Sequence, residues 1–301
     1  MKLSTFEAFK HLSSEVPGAI ELSQEQLEKV HEVLLKIMDD VVSVCEKNEL
    51  CYFLGGGSAL GALRHKGFIP WDDDIDVNMP RKDYEQFLKL FRAQYGEKYW
   101  IQTPQETSNY GLSLAKIRKK GTVMMSRDDW HTNECGIGID IFVIENMFDN
   151  PVLRTLHGVL CLGMGYLLSC KKFCRDKNEL RRIAHEVPEV RGTFYLKIAI
   201  GFLLTPLSLD WLCQKTDACH RLCKNNDSKY VSGCAGRLHF FGEMYRRDDF
   251  CEVRKEDFEG RRWNVPIDAE GYLTHCYGDW KEIPAEKDKE RHYIYKFECE
   301  E

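Results

Sequence analysis

The sequence predicts an α+β fold, and three observations lead there. A capped amphipathic stretch runs from Ser23 to about Lys47. A glycine turn, Gly55-Gly56-Gly57-Ser58, follows the apolar Tyr52-Phe53-Leu54, and short alternating runs recur up to Ile144 before apolar helical runs begin. Taking the elements in order, Ser23 and Gln26 have the spacing of a capping box, and Leu27, Val30, Leu34, Met38, Val41 and Cys45 recur on one helical face. Tyr52 to Leu54 reads as the end of a buried strand, and the glycines after it permit a sharp turn with close backbone approach. Ser58 is placed to cap a helix over 58–65, whose free N–H groups and positive dipole end favour an anion. Asp74-Ile75-Asp76-Val77 then reads as a strand, because a period of two puts both carboxylates on one face while Ile75 and Val77 enter the core. A helix from Arg81 presents Tyr84, Phe87, Leu88 and Phe91. Short strands follow near 99–103, 112–118, 122–126 and 137–144. In the last, Ile137, Ile139, Ile141 and Val143 share a face, and Asp140 lies on the other beside Gly138 and Phe142. A carboxylate in a buried strand needs a reason: a metal ligand, a general base, or a hydrogen-bonded structural role.

Two carboxylates side by side on a strand repel unless a cation lies between them. Oxygen-only ligation suits Mg²⁺, with Mn²⁺ as a substitute. A phosphate on the glycine turn and a metal on the Asp pair would bracket one phosphoryl group. A calcium loop is the rival metal site, since Asp72, Asp74 and Asp76 fall at its first, third and fifth positions. It fails at the sixth, where Val77 replaces glycine, and at the twelfth, where Asp83 replaces glutamate. An exposed acidic loop is the plainer alternative, and the apolar interleaving argues against it.

At 301 residues with a formal net charge of −6, the chain can hold one large domain with a subdomain and lacks the basic balance of a general nucleic-acid binder. Residues 1–14 show no basic segment followed by an apolar stretch, so a cytoplasmic location is expected. The 13 cysteines are then reduced thiols. Cys170/Cys174 and Cys219/Cys223 have helical spacing, which favours buried thiols over a structural zinc site. The expected division is a catalytic core over 1–150, a helical insertion over 151–235, and a segment over 236–301 that completes the core. Apolar runs over 156–168 and 198–209 are interrupted by His157 and by Thr205-Pro206, and are expected as core helices rather than spanning ones. Lys171, Lys172, Arg175, Lys177, Arg181 and Arg182 follow the first run, so peripheral contact with anionic headgroups at the inner membrane face is a second expectation.

From Leu60-Gly61-Ala62-Leu63-Arg64-His65-Lys66-Gly67-Phe68-Ile69-Pro70-Trp71 through Asp72-Asp73-Asp74-Ile75-Asp76 to Met79-Pro80-Arg81-Lys82-Asp83-Tyr84, the sequence resembles the LicD family of phosphocholine transferases, related to the fukutin group. The likeness resumes at Gly138-Ile139-Asp140-Ile141-Phe142, and again at Leu273, Tyr277-Gly278-Asp279-Trp280 and Pro284. It spans about 25–295 and is weak between roughly 150 and 255. The resemblance implies a nucleotidyltransferase-like fold, a mixed β-sheet flanked by helices. It also implies transfer of an alcohol phosphate, phosphocholine above others, from a CDP-linked donor such as CDP-choline. The acceptor would be a sugar hydroxyl of a cell-surface glycan precursor, free or lipid-linked, and CMP would be released. On that basis Asp74 and Asp76 are metal ligands and Asp140 is the third carboxylate. Ser58 stands where the family often has threonine, which keeps the hydroxyl.

Around these, Gly57, Ser58, Arg64, His65, Lys66, Lys116 and Arg118 are the expected nucleotide- and phosphate-binding residues, because bidentate arginine and the lysine point charge both suit phosphate oxygens. A solvated basic hairpin over 116–120 and a helix-end role for His65 are the plainer alternatives. Asp72 and Asp73 are expected to orient ligands or to sit at the rim. Trp71, Tyr110, Trp130 and Trp280 are candidates for caging a quaternary ammonium. Two rival functions share the same parts: a nucleotidyltransferase that releases diphosphate, and a non-catalytic nucleotide-binding module.

Overall fold

Ser23 and Gln26 exchange both hydrogen bonds of a capping box, and helix α1 (Gln24–Lys47) starts there. Its stripe of Val30, Leu34, Ile37, Met38 and Val41 is fully buried. The computed structural model describes residues 18–186, 188–286, 289, 292 and 294–299, so the stretch over 1–14 inspected for an export signal lies outside them. The chain continues as β1 (Phe53–Leu54), α2 (Gly56–His65), β2 (Asp76–Pro80), α3 (Arg81–Tyr95), β3 (Tyr99–Gln102), β4 (Ala115–Lys119), β5 (Val123–Ser126) and β6 (Gly138–Asn146). In space the strands run β1-β2-β6-β4-β3. Strands β2 and β6 are parallel and the other neighbours antiparallel, which makes the mixed sheet of an α+β protein.

The sheet's inner face is built by alternation. Ile75, Val77 and Met79 interleave with Ile139 and Ile141, and Tyr84, Phe87 and Phe91 of α3 close over the same core. Each such side chain removed from water contributes roughly 1.5–3 kcal/mol, which fixes the register because a one-residue slip would turn the whole set outward.

After β6 come four helices. Helix α4 (Pro151–Arg175) is capped by the Asn150 side chain, and α5 (Lys177–Glu186), α6 (Arg191–Leu203) and α7 (Leu209–His220) follow. The chain returns through β7 (Tyr230–Ser232), which pairs with the end of β6 at Glu145 and Asn146, then α8 (His239–Gly242) and β8 (Met244–Arg246), which pairs with β7. Helix α9 (Arg247–Cys251), the hairpin β9 (Val253–Phe258) and β10 (Arg261–Pro266), α10 (Ala269–Tyr277) and β11 (Ile294–Glu298), which pairs with β5, complete the described chain.

Three local expectations are corrected. Helix α2 starts at Gly56 rather than Ser58, and Gly55 caps it without a side-chain hydrogen bond. Asp74 lies just before β2, not on it. The run over 156–168 is part of a 25-residue helix, α4, which among the described residues is the one helix long and apolar enough to cross a membrane. His157 does not interrupt that helix: its Nε2 faces the Cys219 carbonyl of α7 at 2.7 Å and joins the two helices. All the cysteines are free thiols, and among the described residues they do not converge into a metal-sized cluster.

Candidate active site

Parallel pairing of β2 with β6 sets Asp76 directly beside Asp140. The ladder extends one step further back, since the Asp140 N–H donates to the Ile75 carbonyl at 2.9 Å. Asp74 follows by extended spacing, and each of the three carboxylates lies within electrostatic reach of the others. The turn before α2 holds this cluster from the other side. Gly55 N–H donates to the Asp76 carbonyl at 2.9 Å, and Asp76 N–H donates to Ser58 Oγ at 2.9 Å. Ser58 is therefore the buried anchor of the Asp76 backbone rather than a helix cap. Gly56 has φ +46°, and a Cβ there would lie 2.4 Å from Asp76 Oδ2. A Cβ on Gly57 would lie 2.7 Å from Asp72 Oδ2. Only glycine lets the backbone come this near the carboxylates.

The carboxylates crowd one another in a buried setting. Burial, helped by the neighbouring carboxylates, pushes Asp76 and Asp72 well above the usual carboxylate range. Asp74 is pushed up to about 6, by burial first, with His292 opposing and Asp73 and Asp140 adding to it. Such crowding is relieved by a proton or a divalent ion, and among the described residues Asp73, Asp74 and His292 form a group whose ligand atoms all lie within 4.8 Å of one another and could hold a metal.

Lys116 on β4 is the cation the structure does bring in. It sits opposite Asp140 in the antiparallel ladder, and its Nζ lies 2.6 Å from Oδ1 and 2.8 Å from Oδ2. Burial works against its charge, yet Asp140 outweighs that and raises its pKa. Arg118, two residues on, is not free for phosphate. It lies across from Gly138, where the missing side chain leaves room for it, and it donates to Gln102 Oε1 at 3.1 Å, the Gly136 carbonyl at 3.1 Å and Asp129 Oδ1 at 2.8 Å. The basic residues ending α2 are likewise engaged elsewhere. Arg64 donates to the carbonyls of Trp280 (2.7 Å) and Glu282 (3.1 Å) and to the His65 ring (2.9 Å), while Lys66 pairs with Glu256 of β9 at 3.3 Å. The four aromatic candidates do not form one cage: Trp130 packs on Tyr295, Trp280 is in the main core, and Trp71 lies under the Lys289 ammonium at 4.2 Å.

Tyr272, His31 and His292 were not singled out from the sequence, and Tyr277 was named only within the late motif. Tyr272 of α10 accepts the Gly56 N–H at 2.8 Å, and the Tyr277 hydroxyl would lie 3.6 Å from a Cβ on Gly56. Burial, with Asp76 next, holds Tyr277 well above the usual tyrosine range, so it stays a hydroxyl donor. His292 Nδ1 is 2.6 Å from Asp73 Oδ1 and 3.7 Å from Asp74 Oδ2. Asp73, against the opposing effect of burial, raises its pKa far above the usual histidine value. His31 of α1 holds the Asp72 carbonyl at 2.7 Å while stacked on Phe68, which buttresses the acidic loop from behind. Tyr277 was legible as part of a late motif; the arrival of Tyr272 and His292 has no local signal, because each closes a contact of more than two hundred residues.

Comparison with known proteins falls on the same residues. Residues 49–149 match the family described as LicD/FKTN/FKRP, nucleotidyltransferase domain. The chain is 28% identical over 275 residues to the lipopolysaccharide cholinephosphotransferase LicD of Haemophilus influenzae, an alignment covering 87% of this chain and 94% of that protein. It is 43% identical over 56 residues to the ribitol 5-phosphate transferase FKRP of Mus musculus and of Homo sapiens, covering 19% of this chain and 11% of each. The matched segment contains the glycine turn, β2 and Asp140, and the similarity to the cholinephosphotransferase runs along most of the chain.

Proposed function

We propose that the chain transfers an alcohol phosphate, phosphocholine above others, from a CDP-linked donor to a sugar hydroxyl of a cell-surface glycan. The observation that supports this most is the register that seats Asp76 beside Asp140 under a glycine turn, in a chain aligned along nearly the whole of a cholinephosphotransferase. Asp74 and Asp76 would hold Mg²⁺, which leaves Asp140 to act as the base. When bound, the ion would offset the diphosphate's negative charge and align it. The chain's own residues do the rest. Gly56 and Gly57 let the backbone close on the Asp76 and Asp72 carboxylates, and Ser58 keeps the Asp76 main chain in place. Lys116 pairs with Asp140 and supplies positive charge at the transferring phosphoryl group. The acceptor oxygen attacks the distal phosphorus and its proton passes to Asp140. The bond to CMP then breaks, with the electron pair leaving on the CMP oxygen. In such a reaction alignment and charge dominate the barrier.

The domain description also favours a second reading, a nucleotidyltransferase that releases diphosphate. One assay separates them. The full chain is incubated with CDP-choline, Mg²⁺ and a sugar acceptor, and the products are resolved. CMP with a phosphocholine-bearing sugar supports the first reading, and a nucleotidyl product sinks it. CDP-glycerol and CDP-ribitol in parallel identify the alcohol.

A further inference from the structure

The basic residues after the apolar run of α4 divide into two sets. Lys172 pairs with Asp128 at 2.6 Å and Arg175 with Asp176 at 2.6 Å, so both face inward. Lys177 and Arg181, one turn apart on α5, have no partner among the described residues. Together with Tyr195, Ile198, Phe202 and Leu203 they line a groove of about 550 Å³, within the usual size range of ligand sites. Phe202 and Leu203, which end α6, are 67% and 78% exposed. Helix α4 is also inverted relative to an ordinary surface helix. Val152, Leu156, Val159 and Leu160, at positions i, i+4, i+7 and i+8, form an apolar stripe that faces solvent, with Val152 and Leu156 more than 60% exposed.

We propose that the groove between α4, α5 and α6 docks the protein on an anionic phospholipid bilayer, with Phe202 and Leu203 entering the apolar boundary and Lys177 and Arg181 meeting lipid phosphates. Charge decides between this occupant and a second copy of the chain. A two-fold interface through the groove would face Lys177 and Arg181 with their own equivalents, and like charges at an interface are costly. Glu179, an acidic neighbour on α5, is already paired with Arg182 at 3.0 Å and offers no relief. The inference uses none of the carboxylate site. It rests on the glycan-acceptor reading only for its purpose, since an acceptor borne on a lipid would arrive at the same surface.

The test is flotation of the full chain with phosphatidylcholine vesicles and with vesicles containing phosphatidylglycerol. The wild-type chain should float with the anionic vesicles and not the neutral ones, and raised salt should weaken it. Lys177→Ala and Arg181→Ala should each lower partitioning about fivefold, and Phe202→Ser with Leu203→Ser should abolish it. All four residues lie outside the catalytic machinery, so CMP release with a soluble acceptor and the melting temperature of the Lys177/Arg181 variants should be unchanged. Absence of wild-type flotation, indifference to the charge variants, or a solution dimer dispersed by Phe202→Ser would each overturn the proposal. Normal flotation without CMP release would instead overturn the donor reading and leave the docking intact.

Discussion

Gly56 and Asp76 share a space that admits no extra carbon, and this makes the glycine turn part of the site. Gly56→Ala should cost about 1–2 kcal/mol from its positive φ alone and should also displace the Asp76 carboxylate, so turnover should fall more than the melting temperature does. The carboxylates behave in the opposite sense. In metal-free protein they oppose one another, and Asp74→Asn or Asp76→Asn should raise the melting temperature while lowering turnover by roughly a thousandfold or more, as loss of several kcal/mol of charge stabilisation predicts. A variant with near-normal turnover would sink their role. Far from the site, buried His220 titrates at about 4, below the ordinary 6.5, because burial disfavours its charge. The unfolded chain takes up this proton first as pH falls, so the contribution is complete above about 6.5 and is lost progressively toward 4. Thermal melts across that window should slope less steeply for His220→Gln than for wild type; equal slopes would rule out His220 as the source.

Among the elements, helix α3 is tethered at its first residue. Arg81 holds Glu145 of β6 through a bidentate contact and Asp217 of α7 at 2.8 Å, all three nearly buried. Arg81→Met should therefore destabilise by about 3–5 kcal/mol by leaving buried Glu145 uncompensated and Asp217 with only the more distant Arg221 at 3.6 Å, measured as a shift in denaturant midpoint. Adding Glu145→Gln and Asp217→Asn should recover much of that. Elements with local causes were legible in the sequence: the Ser23 capping box, the helical stripe of α1, and the alternation that isolates Asp140 on its face of β6. Whatever depends on pairing was not. Nothing local says that residue 76 lies opposite residue 140, or that Lys116 meets Asp140 while Arg118, on the same face, crosses a glycine and goes to Asp129. Likewise the sequence period of α4 shows an apolar helix, but its partners α6 and α7 cover only part of it, and that depends on a fold closed much later in the chain.

At the scale of the whole molecule, the core surrounds a cluster of like charges that metal-free protein must tolerate. Added Mg²⁺ should raise the melting temperature, by about 2.7 kcal/mol of stabilisation at a hundred times its dissociation constant, and EDTA should reverse the shift. The same titration on Asp76→Asn should be nearly flat, and an unchanged response would place the ion elsewhere. The tether at Arg81 has a broader bearing. The strand that presents Asp76 ends at Pro80, and the very next residue reaches both the sheet and α7. A chimera that grafts a relative's helical segment onto this sheet must bring an acidic residue at the position of Asp217. Without one, the transplanted piece would leave the arginine only half neutralised, next to the strand it steadies.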